Sequence, residues 1–250
     1  MKKENLQQFI QKYYLGGTLT KESGQDWLPV PITVENNIAK VSIRSGDKSV
    51  LAVVDYNLEL PDGEFVIGNT KQFLSMLGAF GQDIEVQLKK SGQQYVNVLA
   101  LSDNVIDASV ALADPDQVEE RFQLKASPDI DVEFSLKREF IQSFVKSRKA
   151  LASSNMFAVI PFSLDKTVDF VINYNPKSNV DNIKVRAENC TIHNDMEPLY
   201  FSCSNVVAIF AENPEYREAK MTFSTQGLMT IEFKGEDYEA KYYLKAYEIN

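Results

Sequence analysis

Histidine, cysteine and long apolar runs are scarce in this sequence, and each scarcity removes a class of function. His193 is the single histidine, so a Ser-His-Asp or Cys-His constellation could be built around that residue alone. No GxSxG nucleophile motif accompanies it, and it reads as an exposed loop residue. Cys190 and Cys203 are the two cysteines; without partners at short spacing they offer no zinc site, and they read as reduced thiols rather than a disulfide framework. There is no GxxxxGK[ST] phosphate loop, and Gly16-Gly17 is too little for a dinucleotide site. No apolar run approaches the roughly 20 residues that span a bilayer, and the opening MKKENLQQFIQKYY has no apolar core suited to a signal peptide. A cytosolic protein without membrane association is expected. Acids are plentiful, 35 Asp and Glu against 26 Lys and Arg. Asp114-Pro115-Asp116 and Glu119-Glu120 therefore leave a carboxylate-only Mg²⁺ site, and with it a metal-dependent nuclease, as the enzymatic alternative. Acid clusters in a linker more often face water. The expectation is a protein that is not an enzyme and has no cofactor, no catalytic residue and no metal ligand.

What is present is an ordinary folded composition, 44% hydrophobic and 24% charged, with a formal net charge of −9. That net charge would ordinarily argue against nucleic acid, because duplex binding rests on cations that neutralise phosphates. The distribution matters more. Residues 136–151, LKREFIQSFVKSRKAL, gather Lys137, Arg138, Lys146, Arg148 and Lys149 against the single acid Glu139. On a helix, Leu136, Phe140, Ile141, Phe144 and Val145 share one side while Arg138, Lys146 and Lys149 share the other. Lys137 and Arg148 fall within the apolar arc, which suits them only near the helix ends, where long side chains reach water. Ser135 is the expected N-cap, and the alternation of Ile130, Val132 and Phe134 predicts a strand leading in.

Along the chain, residues 3–15 read as a helix closed by Gly16-Gly17, with Lys2, Lys3 and Lys12 as its cations. From Trp27 to Asp55 the period changes to two, predicting strands on Val30-Ile32-Val34, on Ile38-Val41-Ile43 and over 50–54, with turns at Glu35-Asn36-Asn37 and Ser45-Gly46-Asp47. A turn at Pro61-Asp62-Gly63, a strand at 65–67, a helix over 69–80 capped by Asn69 and a meander to Leu112 follow. Residues 113–128, with two prolines and four acids, read as a connector. Strands over 157–162, 167–174 and 182–187, a strand at 199–201, a helix over 205–211 and a final meander from Lys220 to Tyr247 complete the chain. The order of elements occurs twice: Phe9-Ile10-Gln11 recurs as Phe140-Ile141-Gln142, and the turn at Gly92 as that at Gly227. An α+β fold is predicted, with two tandem helix–strands–helix–strands domains, 1–112 and 129–250.

Two such units joined by an acidic connector, with cations on the helices and acids elsewhere, resemble the DNA sliding clamps, the polymerase processivity factors. Residues 65–77, FVIGNTKQFLSML, with Ala111-Leu112-Ala113-Asp114-Pro115, are similar to clamps of T-even-type bacteriophages. Tyr242-Tyr243-Leu244 is similar to the last strand of archaeal and eukaryotic clamps. The resemblance implies a homotrimeric ring with antiparallel sheets outside and helices lining a hole around duplex DNA. It implies a DNA polymerase tethered by the ring, an ATP-driven clamp loader as a separate protein, and the cytoplasm of an infected bacterium if the gene is a phage's. By position, Lys2, Lys3, Lys12, Lys71, Lys137, Arg138, Lys146, Arg148 and Lys149 take the DNA-facing role. The fourth helix has no cation, with Lys220 as a nearby substitute. In the last strand Tyr243 and Tyr247 share a face with Lys241 and Lys245; with Val118, Phe122 and Ile249 they form the implied partner-peptide pocket. The alternative outside this family is a phage tube or baseplate protein, which could also be β-rich, acidic and ring-forming.

Overall fold

The computed structural model describes residues 1–18, 29–89, 97–118 and 129–248. The chain forms two units, Met1–Gln123 with Glu236–Ala240 and Leu124–Gly235 with Lys241–Asn250.

In the first unit, helix α1 (Lys3–Tyr14) forms because Leu6, Phe9, Ile10 and Tyr13 recur at helical spacing and are all buried. It stops where Leu15 and Gly16 turn left-handed, φ 46° and 62°, with the Leu15 N–H bonded to the Gln11 carbonyl. Strands β1 (Val30–Glu35), β2 (Ile38–Arg44), β3 (Val50–Asn57) and β4 (Gly63–Ile67) follow. They lie antiparallel in the order β4-β1-β2-β3. Asn36 and Asn37 join β1 to β2 with φ 53° and 63°, the two positive angles a tight hairpin needs and asparagine tolerates. Helix α2 (Thr70–Gly78) is capped as expected: the Asn69 side chain accepts a hydrogen bond from the Gln72 N–H. Strands β5 (Glu85–Lys89), β6 (Val98–Ser102) and β7 (Asp107–Ala111) make the meander, with Leu99 and Leu101 turned inward. The chain start pairs with it, Met1 and Ile84 exchanging two backbone hydrogen bonds of 3.0 Å.

The second unit comprises β8 (Val132–Ser135), α3 (Arg138–Ala150), β9 (Met156–Phe162), β10 (Thr167–Ile172), β11 (Ile183–Ala187), β12 (Thr191–Ile192), β13 (Leu199–Ser202), α4 (Cys203–Ala211), β14 (Glu218–Ser224) and β15 (Leu228–Lys234). The last strand, β16 (Tyr238–Lys245), gives residues to both units. Its core is aromatic. Phe144 of α3 lies 5.0 Å from Phe157, 6.2 Å from Phe170 and 6.0 Å from Phe210, each ring meeting another's edge.

The repeat is visible in the backbone. Sheet order β13-β9-β10-β11 reproduces β4-β1-β2-β3. Ala113 donates to the Val66 carbonyl as Tyr247 does to that of Tyr200, and Ser202 caps α4 through Asn205 as Asn69 caps α2 through Gln72. The α+β class with antiparallel sheets is as predicted. Three local expectations are corrected. Ser135 is the last residue of β8 and caps nothing; Lys137 occupies the N-cap position of α3 without a side-chain bond, because pairing with Lys220 draws Ser135 into the sheet. Helix α4 starts at Cys203, two residues before the expected Asn205, since Ser202 supplies the cap. Strand β12, a two-residue element pairing with β8, was not foreseen; nothing in so short a stretch carries a period. The expected turn around Gly92 and most of the 113–128 connector lie outside the described residues.

Candidate nucleic-acid interface

Helix α3 carries the densest positive charge. Its apolar stripe buries Phe144 and half-buries Phe140, Ile141 and Val145, and Lys146 and Lys149 are left exposed on the other side, one turn apart. Neither ammonium is engaged within the chain among the described residues. Arg148 and Lys149 also sit in the last turn, where they complement the negative end of the helix dipole.

The other α3 cations have further duties. Arg138 hydrogen-bonds the carbonyls of Pro214, at 2.8 Å, and Tyr216, at 2.9 Å, and its guanidinium lies 4.7 Å from the centre of the Tyr216 ring. It fastens the start of α3 to the loop after α4, although its side chain stays largely exposed. Arg148 is half-buried and donates to the Leu151 carbonyl, as expected of a cation in the apolar arc at a helix end. Lys137, exposed, borders a groove of about 390 Å³ between α3 and β11, whose walls include Phe140, Ser143, Lys184 and Arg186.

In the first unit the cations are fewer and mostly occupied. Lys2 pairs with Asp83 at 2.7 Å, and Lys3 donates to the Phe80 carbonyl at 2.7 Å. Lys12 departs from its expected role. It is 1% exposed, with its ammonium 3.7 Å from the centre of the Tyr238 ring. A cation held over a buried ring is stabilised by the ring's negative face and is not presented to solvent. Lys71, on α2, is exposed. Helix α4 has no cation, as read from the sequence, and Lys220 is engaged with Glu133 in an ion pair.

The expected partner-peptide residues are placed individually. Tyr243 is half-buried with the Lys241 ammonium 5.5 Å from its ring centre, and Tyr247 is 41% exposed. Val118 is half-buried. Phe122 and Ile249 lie outside the described residues. His193 is exposed, and both cysteines are buried, with burial pushing each thiol up to about 11, far from the range of a reactive thiolate.

Asp169, central in the apolar strand TVDFVI, went unremarked in the sequence, although a lone acid in such a run signals a buried partner. Its carboxylate is fully buried and accepts two hydrogen bonds from Arg186, at 2.7 and 3.0 Å, and one ion pair from Lys184 at 2.9 Å. Burial alone would raise its pKa; the hydrogen bonds and charges of Arg186 and Lys184 outweigh that and hold it below the usual range. A carboxyl depressed on folding stabilises the fold fully above its unfolded pKa, near 3.9. That stability disappears as pH falls through the lower folded value. Asp169→Asn is therefore expected to lower the melting temperature at neutral pH and to flatten its fall below about pH 4. Parallel pH curves for the two proteins would contradict this assignment.

No family model matches the chain, and no curated protein matches it. Among solved structures it is similar to Proliferating Cellular Nuclear Antigen from Entamoeba histolytica, with a TM-score of 0.71 and 14% identity. The match covers 99% of this chain and 96% of that one. At such identity the likeness is one of fold: it supports the clamp fold that the resemblance in sequence implied and does not extend to the T-even phage type.

Proposed function

We propose that this chain is a sliding clamp, assembling as a homotrimer around duplex DNA and tethering a DNA polymerase, with an ATP-driven loader supplied by another protein. The observation that carries the reading is the pairing of the clamp fold over 99% of the chain with a net-acidic molecule whose exposed cations Lys146 and Lys149, unengaged among the described residues, lie on one helix. A local positive field can meet phosphates whatever the net charge. Lys71 and Lys137 join them in the proposed DNA-facing set; Arg138, Arg148, Lys2 and Lys3 contribute less because their polar groups are already occupied. Lys12 is withdrawn from it.

The domains are proposed as 1–112 and 129–250 with 113–128 as connector, and the partner-peptide contacts as Val118, Phe122, Tyr243, Tyr247 and Ile249. Among the described residues, β7 and β11 each end a sheet. Both alternate inward apolar residues, Ala108 and Val110 in one and Val185 and Ala187 in the other, with outward polar ones. Pairing β7 of one copy with β11 of the next is a head-to-tail contact, and three such contacts close a ring. A role in the cytoplasm, and a phage origin suggested by residues 65–77 and 111–115, belong to this reading. The test is retention on linear duplex DNA with blocked or free ends. A clamp stays on blocked DNA and runs off free ends; equal retention on both would refute topological binding.

A further inference from the structure

Edge strand β11 carries a charge that its own neighbours leave unbalanced. The buried Asp169 carboxylate has both oxygens taken up by Arg186, at 2.7 and 3.0 Å, and Lys184 adds a second cation at 2.9 Å. Two cations on one carboxylate leave one positive charge over. The acids Asp165 and Glu188 act on Arg186, so the surplus falls on Lys184, whose side chain is 50% exposed. Edge strand β7 shows the reverse. Asp107 is exposed there, its side chain without a partner among the described residues, and Val105, just before it, is 90% exposed.

The internal repeat relates these two edges. The strand pairs Pro31–Val66, Ile32–Val41 and Val41–Val54 correspond to Ala158–Tyr200, Val159–Phe170 and Phe170–Val185, so Asp55 of β3 corresponds to Arg186 of β11. The matching backbone bonds of Ala113 and Tyr247 make Val105 correspond to Glu239. In the first unit Asn57 donates to the Asp237 carbonyl at 2.7 Å and Asp55 feels the charge of Glu239. Strands β3 and β16 therefore run antiparallel with Asp55 opposite Glu239. Carried to β11 of one copy and β7 of the next, that register puts Arg186 opposite Val105, Lys184 opposite Asp107 and the inward Val185 opposite Ile106.

Resting on the clamp reading, we propose that Lys184 of one copy and Asp107 of the next key the ring contact, their ion pair fixing both its register and its head-to-tail sense. The alkyl stem of Arg186 then covers the bare Val105. A slip of one residue turns the apolar faces outward. A slip of two hands Asp107 to Arg186, whose charge Asp169 already takes, and sets Val105 against Glu188. Pairing β11 with a second β11 about Val185 sets Lys184 against Arg186, and that repulsion disfavours the self-complementary dimer.

The test uses the full chain, with sedimentation reading its assembly and circular dichroism confirming that each variant is folded. Asp107→Cys with Lys184→Cys is expected to yield, on oxidation, chains joined by a reducible bond that survives denaturant, since residues directly opposite in a ladder lie within disulfide reach. Cys190 and Cys203 are buried, and the oxidised unaltered chain is the blank. Ser109→Cys with Lys184→Cys, two residues out of register, is expected to stay unjoined. Asp107→Lys is expected to weaken each contact about fivefold at low salt, a difference that shrinks as salt rises. A trimer of the first cysteine variant that does not crosslink, preferential joining of the slipped pair, or an Asp107→Lys chain that assembles as tightly as the unaltered one each overturns the keyed contact, and a trimeric unaltered chain then leaves the clamp standing. An unaltered chain that stays monomeric at every concentration sinks both.

Discussion

Replacing Lys146 and Lys149 by glutamate is expected to abolish retention on duplex DNA while leaving the fold intact. Each cation that meets a phosphate releases counterion, and the loss of two contacts at physiological salt costs roughly thirtyfold per chain before repulsion by the new carboxylates is added. Three chains would multiply that effect. Both side chains are exposed, and unengaged among the described residues, so the melting temperature should shift little, an exposed substitution usually lying within about 0.5 kcal/mol of neutral. The variant has Glu at the C-terminal turn of α3, where the dipole disfavours it, so a loss of at most about 1 kcal/mol is allowed for. Arg138→Glu makes the informative contrast. It breaks two hydrogen bonds and a ring contact that fasten α3 to the loop after α4, so its chief effect falls on stability. A Lys146→Glu, Lys149→Glu protein that still tracks DNA would remove α3 from the interface.

The largest stability effect is expected at Phe144. Its ring is fully buried and touches the rings of Phe140, Phe157, Phe170 and Phe210, so α3 is held to both β9 and β10 and to α4 through one side chain. Phe144→Ala removes the burial and the edge-to-face contacts together and leaves a cavity, for about 3 to 5 kcal/mol. That is a large share of the roughly 5 to 15 kcal/mol that holds a domain folded. Urea denaturation of the variant should show a midpoint shift of that size with no change in the slope, and a loss below about 1 kcal/mol would contradict the packing described. Phe140→Ala, at a half-buried position, should cost less. Positioning of Lys146 and Lys149 depends on the same anchor, which ties the proposed interface to the core.

The elements that sequence periodicity located well are those whose pattern is local. The apolar stripe of α1, the hairpin at Asn36-Asn37 and the cap at Asn69 each need only neighbouring residues, and each appears where the residues place it. The duplicated order of elements was also legible, because it rests on the succession of periods. What escaped was decided by residues distant in sequence. Lys12 looks like any helix cation until Tyr238, brought beside it by the fold, offers its ring. Arg138 reads as part of a basic face, yet its partners are the carbonyls of Pro214 and Tyr216. Ser135 has the chemistry of a cap but is claimed by pairing with β14. Positive charge could be counted from the sequence; which charges remained unengaged required the fold.

Whether three chains close into a ring can be seen by electron microscopy of the purified protein in negative stain. The protein should be imaged at a concentration high enough that a modest head-to-tail interface stays formed. A clamp gives single rings of three chains with an open centre wide enough for duplex DNA, and that is the expected result. Stacked tubes, or filled particles without a central opening, would contradict it.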